Sequence, residues 1–488
     1  MTYQHGITIS EKSTRISPPA QSISTIAVVI GTAPINLAEN PTAAVNKPIV
    51  AKTYDEAVKA VGFSSNYEKY TLCEAIDIFF KQFGVGPLVL INVLDPAKHK
   101  TDSQTVTGSI VNGVVIINTE GILLDNTFLV KDSTGTVTYD RGTDYAASFK
   151  ADGTLAIAIL KDGNIDAEEE TLKITYTKLD PSKVTAEDII GGYDSQTNTY
   201  KGIENIAQVY PRFNLVPSII IAPGWSQIKE VEAVLKAKAE KINGLFNCTL
   251  ISDIDSKTIK SLSAAKAWKE NNVYTGKHEV VLWPKVKIGG NIYWYSTVLA
   301  ALMVSTDIQN NDVPVKSPSN KKLPISSTVL ADGTEVYLDQ TQGNELNGSG
   351  IVTAINMAGW RAWGNNTGAY PDNTDLKDRF ISIRRLFDWW GNQFIVEFFD
   401  KVDDPADYRL IESIIDEQNI KSNGYQAAGQ IIGAKISFSK DENPVQEILN
   451  GHIKFTQSIA AGVPAESIEN ELSFDPTLYS NSLFGGEN

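Results

Sequence analysis

Several places in the chain pair residue types that do chemistry elsewhere, and each lacks part of a working set. Ser226 follows Gly224-Trp225 after an apolar run and stands before a helical one, the position of a nucleophile on a strand-to-helix turn. Ile228, however, occupies the place of that turn's second glycine, so Ser226 is expected to cap the helix that follows it. Ser226 with Lys229 and Ser263 with Lys266 fit the S-x-x-K spacing, without the SDN and KTG partners that such a serine needs. His5, His99, His278 and His452 show no i, i+4 pairing and no nearby cysteine, so no metal site is expected. Gly348-Ser349-Gly350 lacks the third glycine of a dinucleotide loop, and no phosphate-binding loop lysine is present. The expectation is a chain with no catalytic residues, no cofactor-binding residues and no cofactor.

Binding chemistry is better represented. The segment Gly359 to Trp390, GWRAWGNNTGAYPDNTDLKDRFISIRRLFDWW, holds four of the eight tryptophans together with four arginines. A rigid indole and a planar guanidinium lose little entropy when fixed, which is why these residues carry most of the energy of protein association. Trp360, Arg361, Trp363, Arg384 and Arg385 are the candidate anchors. The competing reading has the tryptophans packed inward and the arginines satisfying nearby carboxylates, and spacing alone leaves both open.

The elements that must position these residues follow from periodicity. Tyr3 to Ser10 alternates as a strand with Ile7 and Ile9 on one face, and a lone strand has to pair with a sheet of its own subunit or a neighbour. Strands at 26–30 and 88–94 flank helices at 55–61 and 71–83, the second expected to open with a Thr71–Glu74 capping box. From Thr101 to Lys178 short alternating runs separated by Asp-Gly turns, bounded by Asp95-Pro96 and Asp180-Pro181, predict a self-contained all-β insert that loops outward from the sheet flanking it. The strand-helix alternation then resumes, with strands at 215–222, 245–252 and 279–283 and helices at 226–242, 258–270 and 296–307. A long helix is expected at 405–419, with Asp404 and Asp407 at its positively polarised N-terminus. Leu472 and Phe474 alternate near the end, and with Leu478 they predict a second extended arm.

These elements predict an α/β, multidomain chain: a three-layer α/β core with an all-β insert, an α+β C-terminal domain and extended N- and C-terminal arms. The expected divisions are an arm at 1–22, core at 23–99 and 181–345, insert at 100–180, C-terminal domain at 346–470 and arm at 471–488. A net charge of -15 without a basic cluster disfavours nucleic acid as a partner. Two cysteines, Cys73 and Cys248, predict a reducing compartment rather than a disulfide framework. The N-terminus MTYQHGITIS has no charged region followed by an apolar run, so no signal peptide is expected, and no apolar stretch reaches bilayer length, so no membrane insertion is expected either.

GWRAWGNNT followed by FISIRRLFDW resembles the C-terminal domain of contractile tail sheath proteins, found in phages and in phage-derived bacteriocins and injection systems. GITISEKSTR, STIAVVIGTAP, NKPIVAKTYDEAVKAVGF and TLCEAIDIFFKQFGVGPLVLINVL, in that order, look like the N-terminal half of the same family, and DPSKVT and KSPSNK match its habits further on. The resemblance covers most of the chain outside 100–180. It implies a non-enzymatic subunit that stacks as sixfold rings around an inner tube and contracts to drive the tube through a target envelope. Implied partners are other copies of the chain, the inner tail tube protein, and baseplate and tail terminator proteins. The implied place is a virion tail or phage-tail-like particle assembled in the bacterial cytoplasm. The family's arms add strands to neighbouring subunits, which assigns that role to Tyr3, Ile7, Ile9, Leu472, Phe474 and Leu478, and its C-terminal domain faces the tube. The competing functions are a tail module that binds glycan through the β insert, and a hydrolase whose acid pair is not recognisable.

Overall fold

Ile26–Gly31 (β1), Leu88–Asn92 (β3), Pro217–Ile221 (β4) and Glu279–Leu282 (β6) are nearly continuous apolar runs, the pattern of strands covered on both faces. The computed structural model describes residues 20–150 and 152–484. It joins these runs with Pro48–Ala51 (β2), Thr249–Asp253 (β5), Ile351–Asn356 (β7) and Trp360–Trp363 (β8) into an eight-stranded sheet ordered β8-β7-β6-β5-β4-β1-β3-β2. The six inner strands are parallel, and the outer two, β2 and β8, pair antiparallel. Chain order reverses between β1 and β4, leaving a crevice at their carboxyl ends.

The helices that pack on this sheet or extend beyond it include Thr71–Ile76 (α1), Lys229–Glu240 (α2), Leu262–Asn272 (α3), Tyr295–Ile308 (α4), Gln340–Asn347 (α5), Ile381–Phe398 (α6) and Tyr408–Ala427 (α7). Apart from Ser305 and Ile308, every residue of α4 is buried, as expected of a helix that is apolar all round, and it packs on β1, β4 and β5. Between β3 and β4 the chain builds two small antiparallel sheets of three and four strands, from Gln104–Ser109 to Thr171–Tyr176. Their inward residues, among them Val115, Leu155, Ile157, Leu172 and Ile174, form a hydrophobic cluster of their own. The two ends of this segment meet, with Thr101 N donating to Lys178 O at 2.9 Å.

Local signals yielded to tertiary partners at several points. Thr71 and Glu74 form no capping box: Thr71 N donates to Thr32 Oγ1 and Thr32 N donates to Thr71 Oγ1, each at 3.3 Å, and Glu74 accepts from Trp294 N at 2.7 Å. The start of α1 is buried against the end of β1, so partners distant in sequence replace the local ones. Ser226 does not cap a helix either. Gly224, at φ +79°, turns the chain so that Ala222 O accepts from both Trp225 N and Ser226 N, and α2 starts only at Lys229. The Ser226 hydroxyl is fully buried and accepts from Asp253 N at 3.1 Å.

The division expected at 346 also moves, because β7 and β8 belong to the central sheet: the first five residues of IVTAIN are buried and need cover on both faces. Past β8 the chain continues into α6, α7 and a hairpin of Gly433–Ser437 (β9) and Thr456–Ala460 (β10). The helix expected at 405–419 runs instead from Tyr408 to Ala427, with Asp407 accepting from Leu410 N at 2.9 Å, and Asp404 lies outside it. At the end of the chain Leu472 and Phe474 lie in no strand, and Leu478 is on a helix, Pro476–Phe484, rather than in an extended arm. Pro476 presets the first turn there, and Asp475 accepts from Thr477 N at 2.8 Å. Tyr3, Ile7 and Ile9 fall outside the described residues.

Glu279, at the start of β6, is fully buried, and its Oε1 has no hydrogen-bond partner among the described residues. Burial, with Glu232 nearby, pushes its carboxyl up to about 8. The folded chain therefore holds a proton that the unfolded chain releases above the ordinary carboxylate range, and the stability this contributes is lost as pH rises toward 8. Glu279→Gln is expected to raise stability at pH 8 by on the order of 3 kcal/mol and to change it little at pH 4.5. Thermal melts at the two pH values check this.

Candidate functional site

The two adjacent arginines of α6 face different buried acids. Arg385 reaches Asp307 at the end of α4, with Nη1–Oδ1 3.4 Å and Nη2–Oδ2 2.5 Å, and Asp307 is fully inaccessible. Burial pushes the Asp307 carboxyl up, and Arg385 and Thr25 oppose that shift. Arg384 bridges Asp378 at 3.0 Å and Asp388, one turn along α6, at 2.8 Å. Asp388 in turn meets His278 Nδ1 at 2.9 Å, just before β6. A guanidinium fork holds two such acids in fixed geometry, which a lysine would not do.

Asp307 also holds the segment that leads out of the N-terminal region. Thr25 Oγ1 donates to Asp307 Oδ2 at 2.9 Å, and Ser22 Oγ and Ile23 N donate to Asp312 at 2.6 and 3.3 Å. Asn311 and Asp312 both adopt left-handed backbone, at φ 57° and 60°, a conformation held only where surrounding contacts impose it. Just upstream, Ala20–Gln21 pairs parallel with Val85–Gly86. Thr25, just before β1, and Arg385 of α6 thus share one buried carboxylate.

Trp360, Arg361 and Trp363 sit apart from these arginines, on the edge strand β8. Trp360 is buried, donates Nε1–H to Ser326 O at 2.9 Å and stacks on Tyr337. Trp363 is half-buried and donates to Asn344 Oδ1 at 2.9 Å, and Arg361 donates to Met357 O and Asn320 O, each at 3.0 Å. The five candidates therefore do not form one surface. Trp360, Arg384 and Arg385 are internal, and only Arg361 and Trp363 present area to a partner. Trp360→Ala is expected to cost about 3–5 kcal/mol and lower the melting temperature, and Arg361→Ala to leave melting within about 0.5 kcal/mol. Denaturant titration of both variants tests the split.

Beyond α6, Trp389 and Trp390 pack edge-on against Tyr425 of α7 at 5.5 and 5.6 Å, and Ile436 of β9 packs under α7 with Ile414. The β9–β10 hairpin is a two-stranded sheet, so among the described residues each strand keeps an unpaired edge. Large apolar side chains crowd the surface here: Phe399, Tyr408, Ile420, Ile432 and Leu449 are each more than 60 % exposed, and the tail residues Leu472 and Phe474 are 86 % and 81 % exposed. Strand edges and apolar area exposed together are the features of an assembly surface. Asp307, Asp312 and His278 are not legible as site residues in the sequence because their partners lie far along the chain, whereas the Arg384–Asp388 spacing of i, i+4 is.

No family model matches the chain. It is 29% identical over 503 residues to the tail sheath protein of Burkholderia phage BcepMu, an alignment covering 99% of both chains. It is 25% identical over 318 residues to the tail sheath protein of Escherichia phage P2, covering 63% of this chain and 73% of that one. In fold it resembles a chain of the anti-feeding prophage baseplate structure, with a TM-score of 0.58 at 15% identity over 97% of this chain and 100% of that one. It also resembles a chain of the contracted sheath complex of the PVC extracellular contractile injection system, with a TM-score of 0.56 at 14% identity over 98% and 99%. The chain is similar over nearly its whole length to one tail sheath protein and over part of it to another. The match to the BcepMu sheath protein is end to end, so it includes the insert, the α6–α7 unit and both termini.

Proposed function

We propose that this chain is the structural subunit of a contractile tail sheath, stacking as sixfold rings around an inner tube and contracting to drive that tube through an envelope. The observation carrying the proposal is the full-length match to a protein named for the sheath. The central sheet is read as the middle of three layers, the rigid body of each subunit. The α6–α7 unit with its hairpin is read as the lattice-forming, tube-facing part. Residues 1–22 and 471–488 are read as arms that add strands to neighbouring hairpins, with Leu472 and Phe474 leaving their present solvent-exposed state to do so. Strand addition draws affinity from main-chain hydrogen bonds, so it survives large changes in subunit orientation. Its head-to-tail contacts are heterologous and generate open helices. Energy for contraction is stored as the difference between two sets of subunit contacts, a few kcal/mol each and summed over many copies. Tube, baseplate and terminator proteins are the partners, and assembly takes place in the bacterial cytoplasm.

Electron microscopy of the purified chain tests this reading. Striated tubes are expected, and only compact oligomers under every assembly condition would count against it. The insert is read as an outward, dispensable unit. Because Thr101 N and Lys178 O are already hydrogen-bonded, a short Gly/Ser linker in place of 101–178 closes almost no distance. That variant is expected to stay soluble and form tubes, with a modest loss of melting temperature. Insoluble product would reject the dispensable role.

A further inference from the structure

The crevice where chain order reverses in the central sheet holds a cavity of 470 Å³ that the assembly reading leaves unused. Its floor is Thr32 beyond β1, Thr71 and Glu74 of α1, and Gly224 and Trp225 beyond β4, with Lys285, Trp294 and Tyr67 as walls. Open parallel sheets bind ligands at this position because loops from both sides diverge there. Gly224 permits the close approach: a Cβ on it would meet Thr71 Cγ2 and Trp294 Nε1 at 3.3 Å each.

Lys285 is the unusual group. Its ammonium lies 3.9 Å from the Trp294 ring centre and makes no hydrogen bond or direct ion pair among the described residues. A half-buried cation normally pairs with an acid, since desolvation is costly otherwise. Burial pushes the Lys285 ammonium down in pKa, with the acids Glu74, Asp253, Glu68 and Asp255 acting against that. Glu74 is itself buried and accepts from Trp294 N at 2.7 Å, and burial pushes its carboxyl up while Lys285 acts against that shift. Asp253 faces Ser296 instead, accepting from its N at 2.9 Å. Glu68 and Asp255 line the cavity beside Lys69 and Lys257, and among the described residues no acid comes into direct contact with the Lys285 ammonium. The cavity therefore offers a cation with no direct acid partner, set against the Trp294 indole.

We propose that this crevice binds a small aromatic carboxylate, with its carboxylate on Lys285 and its ring against Trp294 and Trp225. A carboxylate supplies the partner the ammonium lacks, and flat rings supply the apolar contact that indoles favour. The proposal stands apart from the sheath reading and survives or fails without it. Saturation-transfer NMR on the full chain at pH 7.5, with indole-3-acetate and benzoate as probes and benzamide as the neutral control, tests it. At least one carboxylate is expected to bind ten-fold or more tightly than benzamide, and Lys285→Met to remove that preference. Should that variant fail to fold, acetylation of the wild-type chain decides: Lys285 is expected to be among the fastest-labelled lysines and to be protected by the bound carboxylate. Equal binding of carboxylates and benzamide, or labelling of Lys285 that neither carboxylate slows, overturns the proposal.

Discussion

Removing residues 2–17 is expected to leave a folded, soluble chain that forms no tubes. The segment that survives this deletion keeps its own attachments: Ala20–Gln21 on Val85–Gly86, Ser22 and Ile23 on Asp312, and Thr25 on Asp307. The core strand β1 therefore does not depend on the deleted residues for its first contacts, and melting should move by less than about 1 kcal/mol. Under the arm proposal those residues supply a strand to a neighbour's hairpin, so their loss removes connectivity rather than stability. Circular dichroism melts and negative-stain microscopy of one preparation separate the cases. A truncated chain that still builds normal tubes rejects the arm role, and one that melts many degrees lower places the arm on its own subunit instead.

Arg385→Ala is expected to lower the stability of the chain by about 3–5 kcal/mol, because it leaves the fully buried Asp307 without its cation. The sign of the pH response distinguishes this cause from simple loss of packing. Without the guanidinium the folded-state pKa of Asp307 rises further, so the folded variant prefers a protonated acid that the unfolded chain ionises. Its deficit relative to wild type should accordingly shrink as pH falls from 8 toward 5. Adding Asp307→Asn to Arg385→Ala should recover about 1–3 kcal/mol, the coupling of two groups in contact. Melts of both variants across that pH range check the account. A single variant with unchanged melting, or a deficit that grows at low pH, removes Asp307 as the joint between Thr25 and α6.

Sequence determined the parallel strands and the β-rich segment by itself. Runs such as IAVVIG and the LVLI of Leu88–Ile91 are apolar at every position, and only strands covered on both faces tolerate that. Alternation at Thr171–Tyr176 marked a sheet with one wet face in the same direct way. Local caps were less reliable. Thr71 and Ser226 carry cap chemistry, yet both are buried, and a buried hydroxyl bonds to whatever the fold brings nearest, here Thr32 and the backbone of Asp253.

Tertiary structure alone decided the meaning of the Trp/Arg segment. Spacing showed the residues but not the direction they face: Trp360 turns under Ser326 and Tyr337, while Trp363, on the same strand, stays half-exposed. The joint between Thr25 and α6 was equally invisible, since Asp307 lies 282 residues from Thr25 and 78 from Arg385. Ion pairs between distant residues leave no periodic trace, because their geometry is set by how whole elements pack. Apolar periodicity is repeated along an element and can be read from it, whereas a buried acid and its base meet once, in three dimensions.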